Sequence, residues 1–124
     1  MMYKVEAIIR EEKLEDMKAA LHEIQINGVT AYQVMGFGSQ RGYQTVVRGQ
    51  EIDAMLVPKI KLEIVVSSEE WKEKAIKKIQ EVAFTGEVGD GKIFAYEITD
   101  ALKIRTGETG YDALQSTGEA DQGK

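Results

Sequence analysis

The chain contains one unmistakable strand: Lys59-Ile60-Lys61-Leu62-Glu63-Ile64-Val65-Val66. Apolar residues at every second position predict that Ile60, Leu62, Ile64 and Val66 face one way, and that Lys59, Lys61 and Glu63 face the other. The next four residues, Ser67 to Glu70, resemble a capping box with Ser67 at the start of a helix. That helix is predicted to bury an apolar stripe made of Trp71, Ala75, Ile76, Ile79, Val82 and Ala83.

The same alternation of strand and helix occurs on both sides of this segment. Tyr3 to Arg10 reads as a strand, and Leu14, Met17, Leu21 and Ile24 then recur at helical spacing until Asn27-Gly28, which is predicted to end the helix in a left-handed conformation. Further strands are predicted at about 30–37 and at 92–98. The order βαβ, long loop, βαβ favours an α+β ferredoxin-like sandwich, with both helices on one face of a four-stranded antiparallel sheet. We expect one domain over residues 1–110 and a flexible tail over 111–124.

Two helices cover only one face of such a sheet. Ile64, Val66 and their neighbours on the last strand are apolar. We therefore expect self-association, with a ring of subunits covering the other face.

The composition excludes several classes of chemistry. Among 124 residues there are 16 Lys and Arg against 21 Asp and Glu, one His and no Cys. Without Cys there is no disulfide, thiolate nucleophile or Cys-ligated metal, and one His does not make a multi-histidine site. The net charge of −5 argues against a general nucleic-acid binder. No export signal is recognisable, which favours a cytoplasmic protein.

The segment Thr85-Gly86-Glu87-Val88-Gly89-Asp90-Gly91-Lys92 has the spacing G-x-x-x-x-G-K. It is not an ordinary P-loop, because Ile93 stands where Ser or Thr would hold magnesium and because the segment follows a helix and opens a strand. Its glycines and lysine are typical of an anion-binding nest, and equally of a tight turn between helix and strand. The residues alone leave both readings open.

A second glycine cluster, Gly36-Phe37-Gly38-Ser39-Gln40-Arg41-Gly42, allows either close approach of a ligand to the backbone or a β-bulge. The loop that follows, from about Gln40 to Val57, is rich in apolar residues. Such a loop is predicted to dock on a partner, with a protruding β-hairpin as the alternative.

Cations near the end of the chain are the other candidate ligands. Lys103 and Arg105 fall on the same side of a predicted extended segment and, with Lys92, could neutralise a polyphosphate; an exposed pair is the alternative. No nucleophile stands beside an evident base. The residues therefore predict a binding protein with little catalytic machinery.

Taken in order, these segments resemble the PII nitrogen-regulatory signal proteins of the GlnB and GlnK type, over nearly the whole chain to about Gly110. The strongest matches are the run from Thr85 to Phe94 and the run from Ile104 to Glu108. Further matches are Gly36-Phe37-Gly38, Gln40, Arg48-Gly49 and Pro58 to Val66.

The resemblance implies a homotrimer that binds ATP or ADP competitively in three inter-subunit clefts. The turn at residues 89–92 would cradle the phosphates, Glu63 and Val65 would line the adenine and ribose side, and a neighbouring subunit would supply Thr30, Lys103 and Arg105. The full set of nucleotide-binding residues that it implies is Thr30, Gly36, Phe37, Gly38, Ser39, Gln40, Glu63, Val65, Gly89, Asp90, Gly91, Lys92, Lys103 and Arg105.

The resemblance also implies an effector and a target. Gln40 would ligate Mg²⁺ with ATP, and 2-oxoglutarate would be held by Gln40, Gly42 and Lys59. The loop at 40–57 would be the T-loop, which docks through Arg48 and Ile52 on an ammonium transporter or a nitrogen-metabolism enzyme and could recruit the protein reversibly to the membrane.

Several positions depart from the family pattern. Ile52 stands where many bacterial members carry a modifiable tyrosine, and Gln50 replaces a serine phosphorylated in some cyanobacterial members. Ser39 and Lys103 stand where arginines are common, which weakens phosphate contacts. The prediction is a signal transducer rather than an enzyme, with at most weak ATPase activity. The alternatives are a PII-like sensor of carbon or other metabolites and a slow nucleotide hydrolase.

Overall fold

The computed structural model describes residues 1–37, 45–47, 50–52 and 56–114. Six strands and three helices follow one another along the chain: β1 (Met2–Arg10), α1 (Leu14–Glu23), β2 (Val29–Gly36), β3 (Thr45–Val47), β4 (Gln50–Ile52), β5 (Val57–Val66), α2 (Glu69–Ala83), β6 (Lys92–Ile98) and α3 (Tyr111–Leu114). A short 3-10 turn, Glu11–Lys13, joins β1 to α1.

Four strands form one antiparallel sheet in the order β2-β5-β1-β6. Helices α1 and α2 pack together and cover one face of it. This arrangement confirms the ferredoxin-like α+β prediction. Within the described residues, no helix is both long and apolar enough to cross a bilayer.

The core lies between the sheet and the two helices. Strand β1 buries every second residue, and the register places Val5 opposite Ile64 and Ala7 opposite Leu62, so both strands present aliphatic side chains to the helices. Met17 and Leu21 from α1 and Ala75 and Ile79 from α2 complete this layer. The alternation in sequence therefore groups the residues of β5 correctly, and the register with β1 shows which group the helices cover.

The start of α2 and the end of α1 each differ by a residue or more from the prediction. Ser68, not Ser67, caps α2, and its hydroxyl accepts a hydrogen bond from the Trp71 amide at 3.2 Å. Helix α1 ends through Gln25 (φ 70°), not through Asn27-Gly28. The amides of Gln25 and Ile26 donate to the carbonyls of His22 and Leu21, the Schellman pattern, which also buries Ile26.

The prediction that Ile64 and Val66 lie on the open face of the sheet is wrong. Both side chains lie on the helix-covered face, because Ile64 pairs with the buried Val5. The uncovered face carries aromatic side chains instead, including Phe94 with 49% of its surface exposed and the partly exposed Tyr32 and Tyr96. Their rings leave apolar surface open on this face in a single chain.

The loop between β2 and β5 contains local pairing. Strands β3 and β4 form a two-stranded antiparallel ladder, Thr45 opposite Ile52 and Val47 opposite Gln50, and β5 begins at Val57. This is the β-hairpin that the sequence left as an alternative within the loop.

The described chain after β6 contains a bridge and a short helix. Leu102 and Thr109 form an isolated bridge, and α3 follows with Leu114 only 8% exposed. Leu114 is therefore buried, whereas Tyr111 at the start of α3 is 59% exposed. The flexible tail over 111–124 stays a prediction. Residues 115–124 lie outside the described part of the chain, and the domain boundary remains a prediction.

Candidate functional site

The candidate residues that lie on strands share the uncovered face of the sheet. Register explains this, because β1 residues at even positions face away from the helices and pair with the corresponding positions of β5 and β6. This set comprises Thr30, Gly36, Lys59, Glu63, Val65 and Lys92.

One end of this face opens into a cleft of about 410 Å³ beside the turn between α2 and β6. Seven predicted site residues line it: Gly36, Phe37, Lys59, Gly89, Asp90, Gly91 and Lys92. A larger groove of about 490 Å³ between α1 and β2 contains none of them. Its lining is mainly aliphatic, whereas phosphates require hydrogen-bond donors and cations, so the smaller cleft is the candidate site.

Asp90 organises the turn that forms one wall of the cleft. Its carboxylate accepts hydrogen bonds from the Thr85 amide (2.8 Å), the Gly86 amide (2.9 Å) and the Thr85 hydroxyl. Partial burial by itself would raise the pKa of Asp90, but the hydrogen bonds from Thr85, Gly86 and Arg10 outweigh it and hold that pKa well below its ordinary value of 3.8. The side chain is thus engaged inside the turn, and only the backbone of Asp90 remains for a ligand.

Two cations from neighbouring strands hold the same turn against the sheet. Arg10 donates through Nε to Asp90 Oδ1 at 3.1 Å and through Nη2 to the Val88 carbonyl at 2.9 Å. Lys59 Nζ donates to the Gly89 carbonyl at 2.6 Å. Arg10 and Lys59 are cross-strand partners in the β1–β5 ladder, so one register position of the sheet fixes three consecutive turn residues.

Gly91 brings the turn into contact with β1. Its φ is +105°, and a Cβ placed there would collide with the carbonyl oxygen of Ile8. Gly89 also has a positive φ, of 107°. Conformation and close approach therefore require glycine at 91, a constraint beyond that of an ordinary turn.

Lys59 is buried at the floor of the cleft, with 8% of its surface exposed. Burial, followed by the neighbouring Arg10 guanidinium, lowers the pKa of Lys59 below its ordinary value of 10.5. A buried ammonium group of this kind gains from an anionic partner.

The second group of candidates lies further along the same face. Thr30 pairs with Glu63, and the Glu63 carboxylate accepts a hydrogen bond from Tyr32 Oη at 3.0 Å and lies 3.3 Å from Lys4 Nζ. Burial alone would raise the pKa of Glu63, but these two neighbours lower it below 4.5. Along β2, Thr30 is six residues from Gly36, a separation of roughly 20 Å at the rise of a strand. One chain therefore does not bring the two groups together.

The segment with Lys103 and Arg105 differs from the prediction. Residues 104–106 form a turn, closed by the Gly107 amide donating to the Lys103 carbonyl at 2.7 Å, so the two cations do not project from one side of an extended strand. Lys103 Nζ lies 3.7 Å from the Glu108 carboxylate.

Some predicted residues lie outside the described part of the chain: Gly38, Ser39, Gln40, Gly42 and Arg48. Ile52 contributes its backbone to β4. No cluster of three His, Asp or Glu side chains that could hold a metal occurs within 1–37, 45–47, 50–52 and 56–114. The Mg²⁺ and T-loop assignments remain predictions.

Arg10 is the residue that sequence reasoning missed. It stands at the end of a strand, 80 positions from Asp90. No local periodicity or motif signals a contact across that distance, because it exists only once β1 and the turn are brought together.

Comparison with known proteins identifies the family of this chain. The family model described as "Nitrogen regulatory protein P-II" matches residues 2–108. The chain belongs to the PII family. A PII protein of Rhodospirillum rubrum is 48% identical over 113 residues, which cover 91% of this chain and 100% of the relative. PII protein 1 of Methanothermobacter thermautotrophicus is 50% identical over 113 residues, covering 91% and 97%.

Solved PII structures are similar as well. B. subtilis GlnK superposes with a TM-score of 0.75 at 38% identity, covering 91% of this chain and 98% of that one. A B. subtilis GlnK–ATP complex gives 0.75 at 34% identity, covering 91% and 95%. Arabidopsis thaliana PII bound to citrate gives 0.74 at 40%, covering 95% and 94%. The names describe regulation and carry no enzymatic activity, in agreement with the prediction of a signal protein in place of an enzyme.

Proposed function

We propose that this PII protein senses adenine nucleotides and 2-oxoglutarate and regulates nitrogen assimilation by docking its T-loop on a target. The observation that carries the proposal is the turn at 85–92, whose backbone is fastened to the sheet beside an open cleft. Such a preformed loop binds phosphate through main-chain amides, and Lys92 adds a cation. The ATP complex of B. subtilis GlnK supports ATP as the ligand.

A homotrimer accounts for the separation of the two candidate groups. The phosphate end of one subunit, with Gly36, Gly91 and Lys92, would face Thr30 and Glu63 of a neighbour. The resemblance places Glu63 and Val65 beside the turn and gives only Thr30, Lys103 and Arg105 to the neighbour. Because Thr30 and Glu63 pair directly, we propose instead that Glu63 and Val65 also belong to the neighbouring subunit. The aromatic side chains on the uncovered sheet face support burial of this face between copies.

Lys59 is the proposed anchor of the effector. Its buried ammonium group now uses a neutral carbonyl as its acceptor, and a carboxylate would be a stronger partner. With Mg-ATP bound, 2-oxoglutarate would reach Lys59 while Gln40 and Gly42 hold its other end, and Gln40 would also ligate the metal. This arrangement would couple the effector to the base of the T-loop.

The target would be an ammonium transporter, which would recruit the protein reversibly to the membrane, or a nitrogen-metabolism enzyme in the cytoplasm. The protein would contact either target through Arg48 and Ile52. The match of the P-II family model to residues 2–108 supports this proposal, because the matched range includes the loop at 40–57. Ile52 stands in place of the usual tyrosine. Docking would therefore be controlled by the bound ligands and not by covalent modification of residue 52.

Calorimetry with ATP, ADP and 2-oxoglutarate, singly and combined, tests the proposal. We expect ATP and ADP to compete and 2-oxoglutarate to bind only with Mg-ATP. Lys92→Ala should weaken nucleotide binding at least about tenfold, whereas Lys74→Ala, an exposed lysine on α2, is the matched control. A wild-type protein that binds neither nucleotide would refute the proposal.

A second ligand class is supported by one comparison. Arabidopsis PII is known bound to citrate, so a sensor of another carboxylate is the alternative function. Titrating citrate and 2-oxoglutarate in parallel distinguishes the two. Tighter binding of citrate, independent of Mg-ATP, would favour the alternative.

A further inference from the structure

We infer that Arg10 is a positioning residue for phosphate recognition, acting through the turn and without touching the ligand. The inference rests on the proposed nucleotide binding. It concerns how the 85–92 turn acquires the orientation that binding requires.

The bonds from Arg10 and Lys59 orient two successive peptide groups. In a planar trans peptide the carbonyl of one residue and the amide of the next point in opposite directions. Arg10 holds the Val88 carbonyl and Lys59 holds the Gly89 carbonyl, both towards the sheet. The amides of Gly89 and Asp90 are therefore turned the other way, as a phosphate ligand of the turn requires.

Arg10 has a second effect through Asp90. The Asp90 carboxylate accepts hydrogen bonds from the amides of Thr85 and Gly86, which closes the turn. The hydrogen bond from Arg10 Nε then connects this closed turn to the end of β1. The hydrogen bond and the positive charge of Arg10 act together. The guanidinium donates to an Asp90 oxygen and neutralises the Asp90 carboxylate, which would otherwise repel phosphate. Arginine suits the position, since one planar group reaches a carboxylate and a carbonyl at once, whereas lysine presents a point charge.

Two variants separate positioning from charge. Arg10→Lys keeps the charge but does not span both acceptors, and Arg10→Gln removes the charge. If Arg10 positions the turn, both variants should weaken ATP binding by roughly tenfold or more, with adenosine binding unchanged. If only charge matters, Arg10→Lys should bind ATP like the wild type, which would overturn the inference while leaving the proposed function intact.

A double-mutant cycle tests the route through Asp90. In an Asp90→Asn background, Arg10→Lys should cause much less additional loss of ATP affinity than it does alone, because the bond between the two side chains is already weakened. Fully additive losses would contradict the inference. Lys78→Gln, which removes the exposed ion pair with Glu81, is the control and should leave ATP affinity unchanged.

A measurement on the wild-type protein keeps the inference testable if the Arg10 variants do not fold. Titration with inorganic tripolyphosphate, followed by amide NMR, should shift the Gly89 and Asp90 amide resonances more than those elsewhere in the chain. Shifts confined to other residues would overturn the orientation argument. A wild-type protein that binds neither tripolyphosphate nor nucleotide would overturn both this inference and the proposed function.

Discussion

Gly91 lies so close to Ile8 that no side chain fits between the turn and β1. The contact joins the proposed phosphate turn to the central part of the sheet, and it is backbone against backbone. Since neither partner can move aside as a flexible side chain would, the position of the turn depends on the absence of a Cβ atom.

Gly91→Ala should therefore destabilise the protein and displace the turn. Gly107→Ala is the matched control, because Gly107 also has a positive φ, of 78°, but nothing lies within 4 Å of its Cβ position. We expect unfolding free energies lower by about 1 kcal/mol for Gly107→Ala and by at least about 3 kcal/mol for Gly91→Ala, measured by urea denaturation. Equal losses in the two variants would show that conformation alone, without the contact to Ile8, constrains Gly91.

Asp90→Asn should lower stability in a manner that depends on pH. The folded state lowers the pKa of Asp90 below 3.8, so the carboxylate stabilises the fold above that pH and loses this contribution as the pH falls below it. The free energy of unfolding of the wild type should exceed that of Asp90→Asn by about 2 kcal/mol at neutral pH, and this difference should shrink in acid.

Urea denaturation at a series of pH values measures this difference directly. Asp16→Asn, which removes the same charge from an exposed position on α1, is the control. A difference in unfolding free energy between wild type and Asp90→Asn that stays constant from neutral to acid pH would contradict the stabilising role of the Asp90 carboxylate.

Lys59→Met should separate stability from effector binding. At neutral pH the folded protein bears the cost of a buried ammonium group, and this cost fades as the pH rises towards 10.5, because the folded state lowers the pKa of Lys59. Methionine removes this cost but also the hydrogen bond to the Gly89 carbonyl, so the two effects offset and the free energy of unfolding should change by less than about 1 kcal/mol. Binding of 2-oxoglutarate in the presence of Mg-ATP should fall at least about tenfold.

Thermal denaturation and calorimetry on the same preparation test both parts of this prediction. Lys78→Met on α2 serves as the control for replacing a lysine. Unchanged 2-oxoglutarate affinity in Lys59→Met would remove Lys59 from the effector site.

Phe94→Glu should prevent self-association. Phe94 lies opposite Glu6 on the uncovered sheet face, so a carboxylate there would add like charge where subunits are proposed to meet. Phe84→Glu makes the same change at a more exposed phenylalanine (65%) at the end of α2. Light scattering should show a trimer for wild type and Phe84→Glu and a monomer for Phe94→Glu. A trimeric Phe94→Glu would place the interface elsewhere.

Residue patterns predicted most of the secondary structure and which residues of β1 and β5 share a face. The alternation around Leu62 and the helical spacing around Met17 are local, and burial follows directly from them. Errors arose where a choice depends on a neighbouring element. Ser68 begins α2 in place of Ser67, Gln25 ends α1 just before the buried Ile26, and Ile64 faces the helices because of its register with β1.

The order of strands and helices, the glycine-rich turn and the resemblance to the PII family could all be predicted from the residues, because they depend on periodicity and ordered motifs that are local in the chain. How the turn is held became visible only in the folded protein. Arg10 and Lys59 meet residues 88–90 across 30 to 80 positions, after the register of β1 and β5 has set them side by side. Hydrogen bonds between residues so distant in sequence leave no local pattern, since they form only when the sheet has assembled.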